Sequence, residues 1–214
     1  MTAADLSPCR LYAILDLGYV EMSAAVKMAE ALLNGGVDLL QLRAKNLPER
    51  EIEKLAHELR AITARHAVPF IINDYPKIAR TVGAEGVHLG QDDMAIADAR
   101  KIVGSECAIG KSTHSVDQAI RAFYEGADYI GFGPLFATPT KPDYPPIGLE
   151  EIGKVHEAVR IPIFCIGGIK LDNLPKVIEA GAHRAVIVSG LLQATNPADY
   201  ARMAKQLLTR KSKT

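Results

Sequence analysis

Along the chain, short runs of apolar residues alternate with longer stretches in which apolar positions recur every three or four residues. The short runs are "LYAIL" (Leu11 to Leu15), "LLQLR" (Leu39 to Arg43), "PFIIN" (Pro69 to Asn73), "GVHLG" (Gly86 to Gly90), "CAIGK" (Cys107 to Lys111), "DYIGF" (Asp128 to Phe132), "PIFCIG" (Pro162 to Gly167) and "AVIVS" (Ala185 to Ser189). Each has the length and composition of a buried strand. Between them lie amphipathic segments such as "SAAVKMAEALLN", "EREIEKLAHELRAITARH", "VDQAIRAFYEG" and "LPKVIEAG", and "PADYARMAKQLLTR" follows the last strand. Strands alternating with helices predict a parallel sheet, and eight such units predict a closed α/β architecture, the (β/α)8 TIM barrel. Glycines in "NGGVDLLQL", "VGAEGVHLG", "EGADYIGFG" and "EAGAHRAVIV" end helices just before strands, as tight helix-to-strand loops require. They recur around alternate strands, an echo of internal repetition.

Composition narrows this picture. At 214 residues the chain has the length of one such barrel, so a single domain over residues 1–214 is expected, with the barrel from about residue 11 to about residue 208 and short flexible ends. The basic tail "TRKSKT" belongs to those ends. Lys plus Arg equals Asp plus Glu at 25 each, which leaves no electrostatic footprint for nucleic acid or an anionic membrane. Any anion site is therefore local, the expected partners are small-molecule substrates, and a homo-oligomer is left open. Cys9, Cys107 and Cys165 are too few and too apolar in setting for a disulfide framework. Reduced core thiols point to a cytoplasmic protein, and the start "MTAADLSPCRLYAILDL" has no basic region leading into a long apolar core, so no leader or membrane span is expected.

In a βα barrel the loops after the strands form the active face, which gives weight to polar residues at strand ends. Gln41, Arg43 and Lys45 follow one another at spacing two, on one face of an extended segment, and two cations there call for an anion. "IINDYP" brings Asn73 and Asp74, and "LGQDDM" brings Asp92 and Asp93. One such aspartate is commonly a helix cap, whereas two adjacent loops offering carboxylates can meet on a hard cation such as Mg²⁺. "GKSTHS" offers Ser112 as a ligand, with Ser112 or Ser115 as an alternative helix cap and His114 as a weaker candidate acid or base. "CIGGIK" and "VIVSGL" place Gly167 and Gly168 beside Val188 and Ser189, where many barrels cradle a phosphate. Between these two anion sites runs "GPLFATPTKPDYPPIG", Gly133 to Gly148. There prolines stiffen a loop carrying Thr138, Thr140 and Lys141, and the lysine could face either site.

The motifs "QLRAK", "IIND", "GVHLGQDD", "GKSTHS", "GADYIGFGPLFATPTK", "IGGI" and "VIVSGL" resemble, in order and spacing, those of the thiamine-phosphate synthase family, from about Leu11 to about Pro197. The resemblance implies a transferase that joins 4-amino-5-hydroxymethyl-2-methylpyrimidine diphosphate to a thiazole phosphate, or its carboxylated form, and releases diphosphate. It implies pyrimidine diphosphate contacts at Gln41, Arg43, Lys45, Asn73, Ser112 and Lys141, with Arg43, Ser112 and Lys141 acting in catalysis. It implies one Mg²⁺ per subunit on Asp74 and Asp93, and a thiazole phosphate site of Thr138, Thr140, Gly168, Val188 and Ser189. Two features depart from the family's usual pattern: Tyr75 stands where many relatives carry arginine, and "VSGL" replaces "VSAI". A thiazole tautomerase of the same superfamily would lack the "QxRxK" and "ND" residues, which are intact here, and a phosphate-ligand sensor would need no metal pair.

Overall fold

Parallel strands buried on both faces read as near-continuous apolar runs, and those of this chain do so except for polar residues concentrated toward their C-terminal ends. In the computed structural model, which describes residues 5–138 and 145–210, they are β1 (Leu11–Asp16), β2 (Leu39–Arg43), β3 (Phe70–Asn73), β4 (Gly86–Leu89), β5 (Ala108–Thr113), β6 (Tyr129–Phe132), β7 (Ile163–Cys165) and β8 (Ala185–Ile187). They close into one barrel in sequence order, every neighbour parallel, with β8 returning to β1. The helices are α1 (Met22–Asn34), α2 (Glu49–Arg65), α3 (Pro76–Val82), α4 (Ile96–Val103), α5 (Val116–Tyr124), α6 (Glu151–Ala158), α7 (Leu174–Glu179), the single-turn α8 (Ser189–Leu192) and α9 (Pro197–Thr209). The short α8 is an element that helical periodicity does not announce, because four residues complete only one turn. Both ends expected to be flexible fall partly outside the described residues, at 1–4 and 211–214. Among the described residues no helix is long and apolar enough to cross a membrane.

The pleat divides each strand between two cores. Leu11, Ala13 and Leu15 of β1 face the helices and join the large cluster that includes Ala29, Leu32 and Leu59. Tyr12 and Ile14 face the barrel axis, where they meet Leu39, Ile71, Ala108, Tyr129, Phe164 and Val186. Phe164 braces both tyrosines edge to face, at centroid distances of 5.2 Å to Tyr12 and 5.7 Å to Tyr129.

The helix-to-strand turns repeat with a purpose. Gly36, Gly83, Gly126 and Gly181 all have positive φ, as their place after helices predicts. Two residues after the first three of them stand Asp38, Glu85 and Asp128. Each carboxylate accepts an N–H at the start of the preceding strand: Leu11 to Asp38 at 2.9 Å, Phe70 to Glu85 at 2.8 Å, Ile109 to Asp128 at 2.7 Å. A base pairs with each acid in turn: Lys205 with Asp38, Arg60 with Glu85, Arg100 with Asp128. Strand ends that would otherwise leave a buried donor unsatisfied are thereby closed. At the fourth repeat, His183 takes the place of the acid and Pro162 precedes β7.

Candidate active site

Polar side chains gather at the opposite end, where the strands finish. A single cavity is lined by Gln41, Arg43, Asn73, Ser112, Thr138, Gly168, Val188 and Ser189, so eight of the candidates chosen from the sequence share one enclosure. Thr140 and Lys141 lie outside the described residues. Strand β5 continues to Thr113, which puts Ser112 inside the strand with its side chain on the cavity, and Ser115 is the α5 cap, accepting from Gln118 N–H at 3.2 Å. The cap is therefore Ser115, and Ser112 faces the cavity.

The lining carries one ion pair, Arg43 with Asp16, while the charged candidates Lys45, Asp74 and Asp93 lie outside the lining. Arg43 at the end of β2 is held by Asp16 at the end of β1, Nη1 to Oδ2 at 2.6 Å, and Asp16 is buried and also accepts Gly18 N–H at 2.9 Å. Asp16 occupies the same kind of strand-end position as the other candidates, although no motif in the sequence singles it out. Lys45 pairs with Asp74 at 2.6 Å. Asp74 adopts φ 66°, a left-handed conformation that aspartate tolerates better than most residues, while its N–H donates to His88 O at 2.9 Å. Asp93 accepts Gly90 N–H at 2.6 Å, and buried Lys111 grips Gly90 O at 2.6 Å from β5. Tyr75, the departure noted in the sequence, packs on the apolar core and precedes Pro76 at the start of α3.

Asp74 and Asp93 lean on one another. Burial, and then the hydrogen bond to Asp93, push the Asp74 carboxyl above the ordinary range, against the pull of Lys45. Burial would raise Asp93 too, but the hydrogen bond from Asp74, the Gly90 N–H, Lys45 and Lys111 together bring it below that range. Two carboxylates set against each other resist being charged together, a conflict that a bound cation relieves. Among the described residues no third His, Cys, Asp or Glu completes a cage, and Mg²⁺ uses few protein oxygens because it retains waters and takes substrate oxygens. The donor set therefore fits a hard divalent cation.

The floor is a row of buried polar groups. Gln41 Nε2 donates to Tyr12 Oη; Tyr12 Oη lies 3.3 Å from Tyr129 Oη; Tyr129 Oη lies 3.2 Å from His88 Nδ1; and His88 Nε2 lies 3.0 Å from Ser112 Oγ. Of these five residues only the two ends are among the site residues expected from the sequence. Tyr12, Tyr129 and His88 sit within apolar strand runs, where an aromatic or a histidine reads as core, and their alternation with outward-facing neighbours is the one available signal.

The far wall is backbone. The chain leaving β6 passes close over β7: Leu135 N–H donates to Ile166 O at 2.8 Å and Phe136 N–H to Gly167 O at 3.1 Å. A Cβ at Gly167 would lie 2.4 Å from Pro134 Cα, and one at Gly168 2.7 Å from Phe136 Cβ, both at positive φ. The glycine pair thus admits the proline-rich loop as well as opening the cavity. His114 Nδ1 reaches Gly133 O at 2.5 Å and ties the same loop to β5.

Residues 11–191 match the family described as thiamine monophosphate synthase. A thiamine-phosphate synthase of Chloroflexus aurantiacus is 40% identical over 210 residues, which covers 98% of this chain and 97% of that protein. One from Thermus thermophilus is 42% identical over 188 residues, 87% and 90% of the two chains. The similar protein of Gloeobacter violaceus is longer, and the match of 172 residues at 44% identity spans 50% of it. Among solved structures, a thiamine phosphate pyrophosphorylase from Pyrococcus furiosus superposes with TM-score 0.86 at 33% identity, covering 94% of this chain and 95% of that one.

Proposed function

We infer the activity from the premise that this chain belongs to the thiamine monophosphate synthase family: it condenses 4-amino-5-hydroxymethyl-2-methylpyrimidine diphosphate with thiazole phosphate, giving thiamine phosphate and diphosphate. The observation that carries this reading is one cavity with two unlike walls. Arg43 in the cavity lining, with Lys45 outside it, suits a diphosphate, since a guanidinium grips phosphate oxygens in pairs. The wall of Thr138, Gly168, Val188 and Ser189 suits a single phosphate bound through hydroxyls and backbone N–H groups.

In the reaction, the bond from the pyrimidine methylene to the diphosphate oxygen breaks and its electron pair leaves with diphosphate. The thiazole nitrogen then uses its lone pair to bond the methylene carbon. Such chemistry asks for stabilised negative charge on the departing oxygens more than for an acid or base. Arg43 at the end of β2, already oriented by Asp16, and Lys45 in the segment after it meet that charge, with Lys141 from the sequence after β6 and Ser112 as a hydroxyl donor. Gln41 and Asn73 orient the pyrimidine substrate. Asp74 and Asp93 would hold the Mg²⁺, which when bound adds positive charge to the diphosphate. The three cysteines are free and buried, which supports a cytoplasmic location.

Purified protein incubated with both substrates and Mg²⁺ should release thiamine phosphate and diphosphate in equal amounts. Turnover of thiazole phosphate without the pyrimidine substrate would overturn the reading in favour of a tautomerase.

A further inference from the structure

The row of hydrogen bonds on the cavity floor has a direction. An amide nitrogen can only donate, so Tyr12 Oη accepts from Gln41. The single proton of Tyr12 is then free for Tyr129, and that of Tyr129 for His88 Nδ1. With Nδ1 accepting, the neutral ring carries its proton on Nε2 and donates it to Ser112 Oγ. Ser112 is left with its own proton to give to the cavity, and Gln41 with its carbonyl oxygen. Reversing the Tyr129–His88 link also reverses the His88–Ser112 link, because the neutral ring has one N–H. Burial pushes both tyrosine hydroxyls above their ordinary range, so they remain neutral donors.

The surroundings are shaped around this row. Gly110 lies between His88 and Tyr129 in the barrel register, and a Cβ there would sit 2.2 Å from the Tyr129 ring and 2.5 Å from His88 Nδ1. Tyr129 is fully buried and is not part of the cavity lining, so its hydroxyl serves only its two neighbours.

We propose that Tyr12, Tyr129 and His88 form a buried relay that fixes the hydrogen-bond polarity of Gln41 and Ser112, so that the floor offers one acceptor and one donor and thereby selects an aminopyrimidine over its oxo counterpart. This rests on the assignment of the pyrimidine substrate above. An exocyclic amine donates to Gln41 Oε1 and a ring nitrogen accepts from Ser112. An oxo ring has the opposite pattern, an acceptor and a ring N–H, and would leave buried groups facing like partners. Tyr129 acts as a positioning residue, since it touches no substrate.

Calorimetric titration with the 4-aminopyrimidine diphosphate and with its 4-oxo analogue tests the relay. Wild-type protein should prefer the amine, and Tyr129→Phe, which removes one oxygen from the middle of the row, should narrow that preference by about tenfold or more while leaving thiazole phosphate affinity unchanged. Tyr12→Phe should narrow it similarly. The double variant should lose little beyond either single one, because both cut the same chain. An unchanged preference in Tyr129→Phe and Tyr12→Phe, or an equal loss of thiazole phosphate binding, would overturn the relay while leaving the synthase reading intact. Wild-type protein that binds the aminopyrimidine diphosphate no better than inorganic diphosphate would overturn both.

Discussion

At the N-terminal end of the barrel, Asp38, Glu85 and Asp128 each accept a strand N–H and each face one base. At the C-terminal end, Asp16, Asp74 and Asp93 also sit beside bases and backbone N–H groups, but Asp74 and Asp93 face each other and Arg43 extends from Asp16 into the cavity. The residue types are the same; the completeness of the sets differs. Closed sets stabilise the strand ends, whereas the incomplete sets, Arg43 at the cavity and the Asp74–Asp93 pair outside its lining, keep charge available for a ligand at some cost in stability. Substitutions at the two ends should therefore separate activity from stability.

The sharpest test is at the carboxylate pair. Asp74→Asn and Asp93→Asn preserve volume but remove a charge a divalent cation needs, and each should lower turnover on the order of 10²- to 10³-fold. Their melting temperatures should stay within about 2 °C of wild type. Full activity in limiting Mg²⁺ would place the pair with the structural acids and erase the distinction.

Arg43→Ala comes next. A lost bidentate contact should weaken the pyrimidine diphosphate by roughly 10- to 100-fold and thiazole phosphate far less, measured by calorimetry. Equal losses would mean the cavity does not have two walls. A large fall in melting temperature would instead show that Asp16, left buried without its partner, matters as much to folding as to binding.

At the other end the expectation inverts. Asp128→Ala removes the acceptor for Ile109 N–H and the partner of Arg100, in a pair whose side chains are 33% and 29% exposed. Solvent screening keeps the loss to about 1–2 kcal/mol, or roughly 3–6 °C in melting temperature, with kcat unchanged. A variant that melts normally and turns over slowly would break the comparison.

The smallest effect concerns the thiols, which belong to neither set. Burial pushes Cys165 up to about 12, and Cys9 and Cys107 each up to about 11. Raised values make thiolate scarce at pH 8, so the native protein should resist alkylation and react at all three positions only after denaturation. Labelling of native protein, followed by mass spectrometry, checks this, and modification of Cys165 under native conditions would show that its strand opens locally.

Much of the site is legible because strand ends can be read from local pattern. Gln41, Arg43, Asn73 and Ser112 follow from counting residues along a strand, and the cavity collects them. Asp16 obeys the same rule at the end of β1, so the signal for it is present in the strand pattern even though it belongs to no motif. The glycine pair at 167 and 168 reads as a place of close approach, and it is one. That a loop from β6 is among the things approaching cannot be read locally, since Pro134 and Phe136 reach it only through the β6–β7 packing.

The sequence by itself determined the eight strand-and-helix units, their order and the polar residues at their ends, since periods of two and of three to four residues are properties of neighbouring positions. Tertiary structure alone decided which of those residues meet. Tyr12 and Tyr129 are 117 positions apart, and His88 and Tyr129 are 41 apart. Their contact follows from closing the barrel with β8 against β1 and from the register that sets Gly110 between His88 and Tyr129. No local pattern specifies such a meeting, because inward-facing side chains from different strands become neighbours only when the sheet closes around one axis.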